Sequence, residues 1–156
     1  MAEGEFALVQ KYLEIAIDKT AEWVGEHDLY AMLADAAALQ RDGSALQKYA
    51  PLAEEFASRY DHKLYQAIAH RAWGVSYFLH GEYDKAEMRL GQALDLLGGL
   101  KTRYQIGRTL FELGELAMGR SNVSEGRDYF TRALDAFEAM RALPDVARIR
   151  ERIAAL

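Results

Sequence analysis

The sequence predicts an all-α chain built from repeated helix pairs. Three observations carry that reading. Helix formers dominate: Ala, Leu, Glu, Arg and Gln recur throughout, Val and Ile runs are missing, and there are only two prolines in 156 residues. Apolar residues fall at i, i+3, i+4 and i+7, the spacing of one helix face. The pattern also repeats at a period of forty.

The period is clearest around Trp73. Shifted by forty, His70, Trp73, Gly74 and Tyr77 land on Leu110, Leu113, Gly114 and Ala117; shifted back, they land on Tyr30, Leu33, Ala34 and Ala37. A small residue at the third place (Ala34, Gly74, Gly114) lets a neighbouring helix approach closely. A second set repeats likewise: Leu46, Ala50 and Ala53 match Ala86, Leu90 and Ala93, then Gly126, Phe130 and Ala133. Between the sets lie "RDGS", "HGEY" and "RSNV", in register at 41–44, 80–83 and 120–123. Ser44, Asp84 and Ser124 are the expected N-caps, whose oxygens can accept from an unpaired amide of the first turn. Ser44 with Gln47 and Asp84 with Glu87 extend this to capping boxes.

The elements follow in order. A leading amphipathic helix is expected over 5–24, and its "LEIAID" resembles "LGQALD" and "FTRALD" in the later second helices. The pairs are then expected at 28–40 with 44–60, 63–79 with 84–98, and 102–119 with 124–141. Pro51 lies inside the second of these helices and predicts a kink or a late start there, because it lacks an N–H. Gly98-Gly99 marks a helix stop. Pro144 opens a last helix to Leu156, since proline suits a first turn. The organisation is one domain, 1–156: a leading helix (5–26), repeats at 27–66, 67–106 and 107–143, and a capping helix (144–156).

Bulk properties narrow the function classes. The chain is 51% hydrophobic and 28% charged, which reads as folded. Its net charge of −5 disfavours nucleic acid as a partner. There are no cysteines, hence no disulfide, thiolate nucleophile or Cys-ligated zinc. The acidic N-terminal run lacks an uninterrupted apolar core, and no window approaches the length of a membrane span. A cytoplasmic place is the default expectation, with no membrane partner.

Catalytic patterns are missing: there is no Gly-x-Ser-x-Gly, P-loop or dinucleotide fingerprint. The four histidines, His27, His62, His70 and His80, include no His-x3-His pair, so no metal site is expected; His62 and His70 are two turns apart. Glu54–Glu55 and Glu112–Glu115 read as solvated helix surface. So do Arg141, Arg148, Arg150 and Arg152, which Asp145 and Glu151 interleave. Asn122-Val-Ser124 reads as a turn with an N-cap. Tyr12, Trp23, Tyr60, Tyr65, Trp73 and Tyr104 read as helix packing. Neither a catalytic role nor a cofactor is expected.

At Gly74, Tyr77, Gly81, Tyr83, Ala86, Leu90 and Ala93 the chain resembles the tetratricopeptide (TPR) repeat family. The third repeat keeps Leu113, Gly114, Phe130 and Ala133, with Gly126 where Ala is usual; the first keeps Leu33, Ala34 and Ala53. A period of forty rather than 34 is similar to repeats in bacterial signalling and regulatory proteins. The resemblance implies a right-handed α-α superhelix of about three helix-turn-helix repeats with flanking helices. First helices would line a concave groove carrying Asp28, Ala31, Asp35 and Ala38; Ile68, Arg71, Val75 and Phe78; and Arg108, Phe111, Glu115 and Met118.

That groove is the candidate partner-binding site. Val75, Phe78, Phe111 and Met118 would form an apolar strip, with Arg71 and Arg108 beside it and Asp35 at one end. Such a strip suits a peptide or partner segment. The alternative is that these side chains are covered by flanking helices or by another copy of the chain. The family's clamp for acidic C-terminal tails is missing, because Ala31, Asp35 and Ala72 occupy three of its sites. The expected function is non-catalytic protein–protein interaction. The alternatives are a regulatory or sensor module of a larger bacterial signalling protein, or a self-associating scaffold.

Overall fold

The computed structural model describes residues 3–19 and 26–156. Among them are eight helices and no strand: α1 (Glu3–Lys19), α2 (Glu26–Gln40), α3 (Gly43–Arg59), α4 (Lys63–Leu79), α5 (Tyr83–Leu100), α6 (Arg103–Gly119), α7 (Val123–Glu138) and α8 (Leu143–Ala154). The expected helices are found close to their expected bounds. Residues 20–24 of the expected leading helix, and Trp23 with them, lie outside the described residues, as does the side chain of His27.

Every link between helices from α2 onward turns on a left-handed residue. A residue with positive φ stands at 41, 61, 81, 101, 121 and 141, twenty residues apart. At five of these turns the left-handed residue donates three residues back and its successor donates five back, as in Asp61 to Ser58 (3.1 Å) with His62 to Ala57 (2.9 Å). This pair of bonds closes the outgoing helix by satisfying its last carbonyls. The successor (Asp42, His62, Glu82, Asn122, Ala142) is already the N-cap of the next helix, its carbonyl accepting from the amide four residues on. Only one of the six left-handed residues is glycine, Gly81.

This device corrects the expected caps. Asp42, Glu82 and Asn122, not Ser44, Asp84 and Ser124, are the N-caps. The left-handed residue ends one helix in a single step, so the next begins earlier than the hydroxyl and carboxyl pattern suggested. Asp42 accepts from the Ala45 amide at 3.0 Å and Asn122 from the Glu125 amide at 3.3 Å. The expected capping-box partners are used elsewhere: Gln47 meets His80 at 3.1 Å and Glu87 pairs with Arg120 at 2.7 Å. Pro51 does not delay α3, which starts at Gly43 and runs to Arg59. Pro144 falls in the first turn of α8 as expected.

Each helix packs on the next along the chain, and α2, α4 and α6 also pack on one another in turn. These first-type helices therefore form a layer, with the second-type helices α3, α5 and α7 laid against it. Two apolar clusters fill the space between. One joins α2, α3 and α4 around Leu33, Leu46, Tyr49 and Val75; the other joins α5 to α8 around Leu90, Phe111, Phe130, Phe137 and Ile149. Close approach depends on small residues at one repeat position. A Cβ on Gly74 would lie 2.6 Å from Leu90 Cγ, and one on Gly114 would lie 2.5 Å from Phe130 Cε1. In the first pair the same two positions hold Ala34 and Ala50, both fully buried: where the facing side chain is small, a methyl is tolerated.

Gly114→Ala is expected to overpack this contact and cost about 1–3 kcal/mol, seen as a melting temperature several degrees lower. Gly91→Ala, in the interior of α5 with no atom within 4 Å of the new methyl, is expected to stabilise by about 0.5–1 kcal/mol. Equal responses from the two variants would contradict the assigned helix contact.

Candidate functional site

The residues expected along the groove do come together, but as internal structure. Arg71 and Arg108, on α4 and α6, are 1% and 6% exposed, and both reach the Asp35 carboxylate of α2. Arg71 donates to Asp35 Oδ1 at 2.7 Å and Arg108 to Oδ2. Arg71 also donates to the Gln105 side chain at 2.6 Å and to the Gln105 carbonyl and Thr109 Oγ1, each at 3.3 Å. Burial pushes the Asp35 carboxyl up, but the two guanidinium groups outweigh it and hold the group below its ordinary range. Beside it, Arg41 pairs with Glu112 at 2.7 Å. There burial wins, and the Glu112 carboxyl is pushed up against the pull of Arg41, Arg108 and Arg71.

The expected apolar strip is not one open surface: two of its members are buried and two are partly buried. Val75 is 1% exposed and lies in the first cluster; Phe111 is 9% exposed and packs on the Phe130 ring with 5.5 Å between centroids. Phe78, half-buried, occupies the space over Gly119 beside Tyr83 and under Arg41. Met118 lays its sulfur 2.8 Å from where a Gly126 Cβ would be. That contact accounts for glycine at 126, where the resemblance led to expecting alanine. Glu115 receives Arg152 from α8 at 2.6 Å. The physical reason is that neighbouring helices of both types pack closely on these faces, α7 against Phe111 and Met118 and α8 against Glu115, so the side chains there find intrachain partners.

A second polar cluster joins the other faces. Glu54 of α3 accepts from Trp73 Nε1 at 2.8 Å and from Arg89 of α5 at 2.5 Å, and Arg89 donates to His70 Nδ1 at 2.8 Å. Burial and the adjacent Arg89 hold His70 below the usual histidine value, with Glu54 opposing. The acidic pairs do not share a site: Glu55 pairs with Arg59, while Glu54 and Glu115 each meet an arginine from another helix and Glu112 meets Arg41 of the α2–α3 turn. The arginines of α8 are likewise engaged, Arg148 with Asp145 and Arg150 with Glu138. Tyr12, Tyr60 and Tyr104, expected as packing residues, are 63%, 53% and 41% exposed, although Tyr104 still meets Phe137 edge-on.

Gln105, Thr109, Glu14 and Arg89 were not expected in polar contacts. The available signal is a separation of 33–37 residues. It joins Asp35 to Arg71, Arg71 to Gln105, Glu54 to Arg89, Glu87 to Arg120 and Glu115 to Arg152. That separation is one repeat less about one helical turn, which brings adjacent repeats into contact. What remains accessible of these ion pairs is a rim of charge at the α2–α3 turn and α8, where the side chains of Arg41 and Arg152 are 29% and 38% exposed against 11% and 18% for Glu112 and Glu115. A depression of about 390 Å³ lies at the α4–α5 turn around Glu82, Asp84, Lys85 and Arg120 and shares no residue with that rim. Compared with known proteins, the chain matches no protein-family model and no curated protein.

Asp35→Asn should leave two buried guanidinium groups without their carboxylate and cost about 3–5 kcal/mol in denaturant unfolding; a loss below about 1 kcal/mol would mean the bridge contributes little. For His70 the sign is also fixed. A folded value held below the unfolded one gives stability that is complete above about pH 6.5 and declines as pH falls. Urea midpoints should drop from pH 7.5 to 5.5, and His70→Gln should reduce that drop.

Proposed function

We propose that the chain is a non-catalytic protein–protein interaction module of the tetratricopeptide type, a right-handed α-α superhelix that holds a partner segment along its first-type helices. The observation that carries this reading is the left-handed residue at a turn every twenty residues, combined with first-type helices that pack on one another. Equal helices joined by equal turns generate a regular stack, and a regular stack offers a long preformed surface. The polar bridge at Asp35 supports that role by fixing α2, α4 and α6 to one another before a partner arrives, which lowers the ordering cost of binding. No helix among the described residues is long and apolar enough to cross a membrane. A cytoplasmic location is part of the proposal.

Recognition on this reading is polar. Val75 and Phe111 are committed to the fold, whereas Arg41 and Arg152, paired with the less exposed Glu112 and Glu115, are the more accessible charges beside it. A partner segment of mixed charge fits that rim better than an apolar helix does.

The test is selection from a displayed library of mixed-charge peptides, followed by calorimetric titration of the best binders. Arg41→Ala with Arg152→Ala should weaken them about tenfold, equal to about 1.4 kcal/mol. Met88→Ala, exposed on α5, should leave them unchanged. Binders lost with Met88→Ala and kept in the double variant would overturn the proposal.

A further inference from the structure

The leading helix α1 is a second-type helix by contact as well as by position. Its Glu14 accepts from Tyr49 of α3 through a short hydrogen bond. Forty residues along, Glu54 of α3 accepts from Arg89 of α5 at 2.5 Å. The two bonds occupy the same pair of repeat positions, since 14 and 49 become 54 and 89. The next members of the series, Leu94 and Tyr129, are both half-buried against the second cluster. One position on α1 and on α3 therefore meets one position on the next second-type helix.

Extending the series in both directions reaches Leu134 on α7 and Val9 on α1. Among the described residues neither faces a further second-type helix. Val9 is 43% exposed, and its neighbours Leu8 and Tyr12 are 51% and 63% exposed. Leu8 and Val9 hold the positions by which α3, through Lys48 and Tyr49, receives α1. The last helix shows the complementary feature. Ala154 of α8 takes the place of Gly74 and Gly114, which are buried under Leu90 and Phe130, yet Ala154 is exposed.

We propose that two copies of this chain stack head to tail, α1 of one lying on α7 and α8 of the next, with Val9, Leu8 and Tyr12 against Leu134. A second copy is the occupant that fits because the exposed face at one end holds the repeat positions that the other end is built to receive. The inference rests on the stacked-repeat reading proposed above and names a partner for it. The contact joins different surfaces on the two copies, so association continues past a dimer unless a ring closes.

The chain has no cysteine, so introduced ones report contact cleanly. Val9→Cys and Leu134→Cys proteins would be mixed and treated with a short bismaleimide, with light scattering across a dilution series in parallel. Asp135→Cys, exposed beside Leu134, serves where Leu134→Cys disturbs packing. The expected result is a mixed 9–134 product and an apparent mass at least doubling with concentration. Tyr12→Glu should return the mass to 17.6 kDa with unchanged helicity. Cross-links between two Val9→Cys chains in place of mixed ones, or a monomer at every concentration, would overturn the head-to-tail contact. The peptide-binding test of the inner layer would still stand or fall by itself.

Discussion

The arrangement depends on one backbone constraint, a left-handed residue at each turn. A helix that ends in a Schellman pair of hydrogen bonds reverses direction within two residues, and the second of them caps the next helix. Because the left-handed residue recurs at 41, 61, 81, 101, 121 and 141, and the hydrogen-bond pair at all of these but 101, successive helices leave their turns in similar ways. Similar departures produce similar packing from α2 onward, as in the matching close approaches of Gly74 to Leu90 and Gly114 to Phe130. Arg, Asp, Lys and Ser occupy five of the six left-handed positions, where glycine is the easier residue. The carbonyls satisfied by the turn offset that local cost.

Side-chain chemistry then separates the two faces of the first-type helices. On one face Asp35, Arg71, Arg108, Gln105 and Thr109 share hydrogen bonds across three helices. On the other, Glu54 ties Trp73 and Arg89 together beside His70. A buried ion pair is weak evidence for net stability, because desolvation opposes the attraction. Its clearer effect is on specificity. A guanidinium that must find one carboxylate oxygen fixes the register of α4 against α2 in a way that alanine-rich contacts such as Ala37, Ala38 and Ala69 do not.

Much of the fold was legible from residues. The forty-residue period located the pairs, and the small residue at 34, 74 and 114 marked a close approach that the glycine contacts bear out. The caps were less legible. A serine or aspartate near a turn signals a cap by side-chain chemistry, whereas here the position is set by a backbone conformation that only Gly81 advertises. The candidate site was legible as a set of positions and illegible as a state of exposure. Arg71 and Phe111 sit where the period placed them, but burial depends on how closely neighbouring helices approach, and a single helix pattern does not encode that distance. The opposite charges about 35 residues apart did encode it, through pairs such as Asp35 and Arg71.

The reach of the Asp35 bridge bears on how the molecule comes apart. In a repeat array whose units touch only their neighbours, each unit can melt with little regard for units further away. Here Arg108 bonds a carboxylate 73 residues earlier, and Arg41 pairs with Glu112 across a similar span. Both links skip the intervening helix pair. Loss of α6 would strand charges on α2, and fraying from one end would meet an electrostatic penalty at the far side of the central pair. Hydrogen exchange in α2, α4 and α6 would therefore rise and fall together as one cooperative unit, leaving the outer helices to open separately.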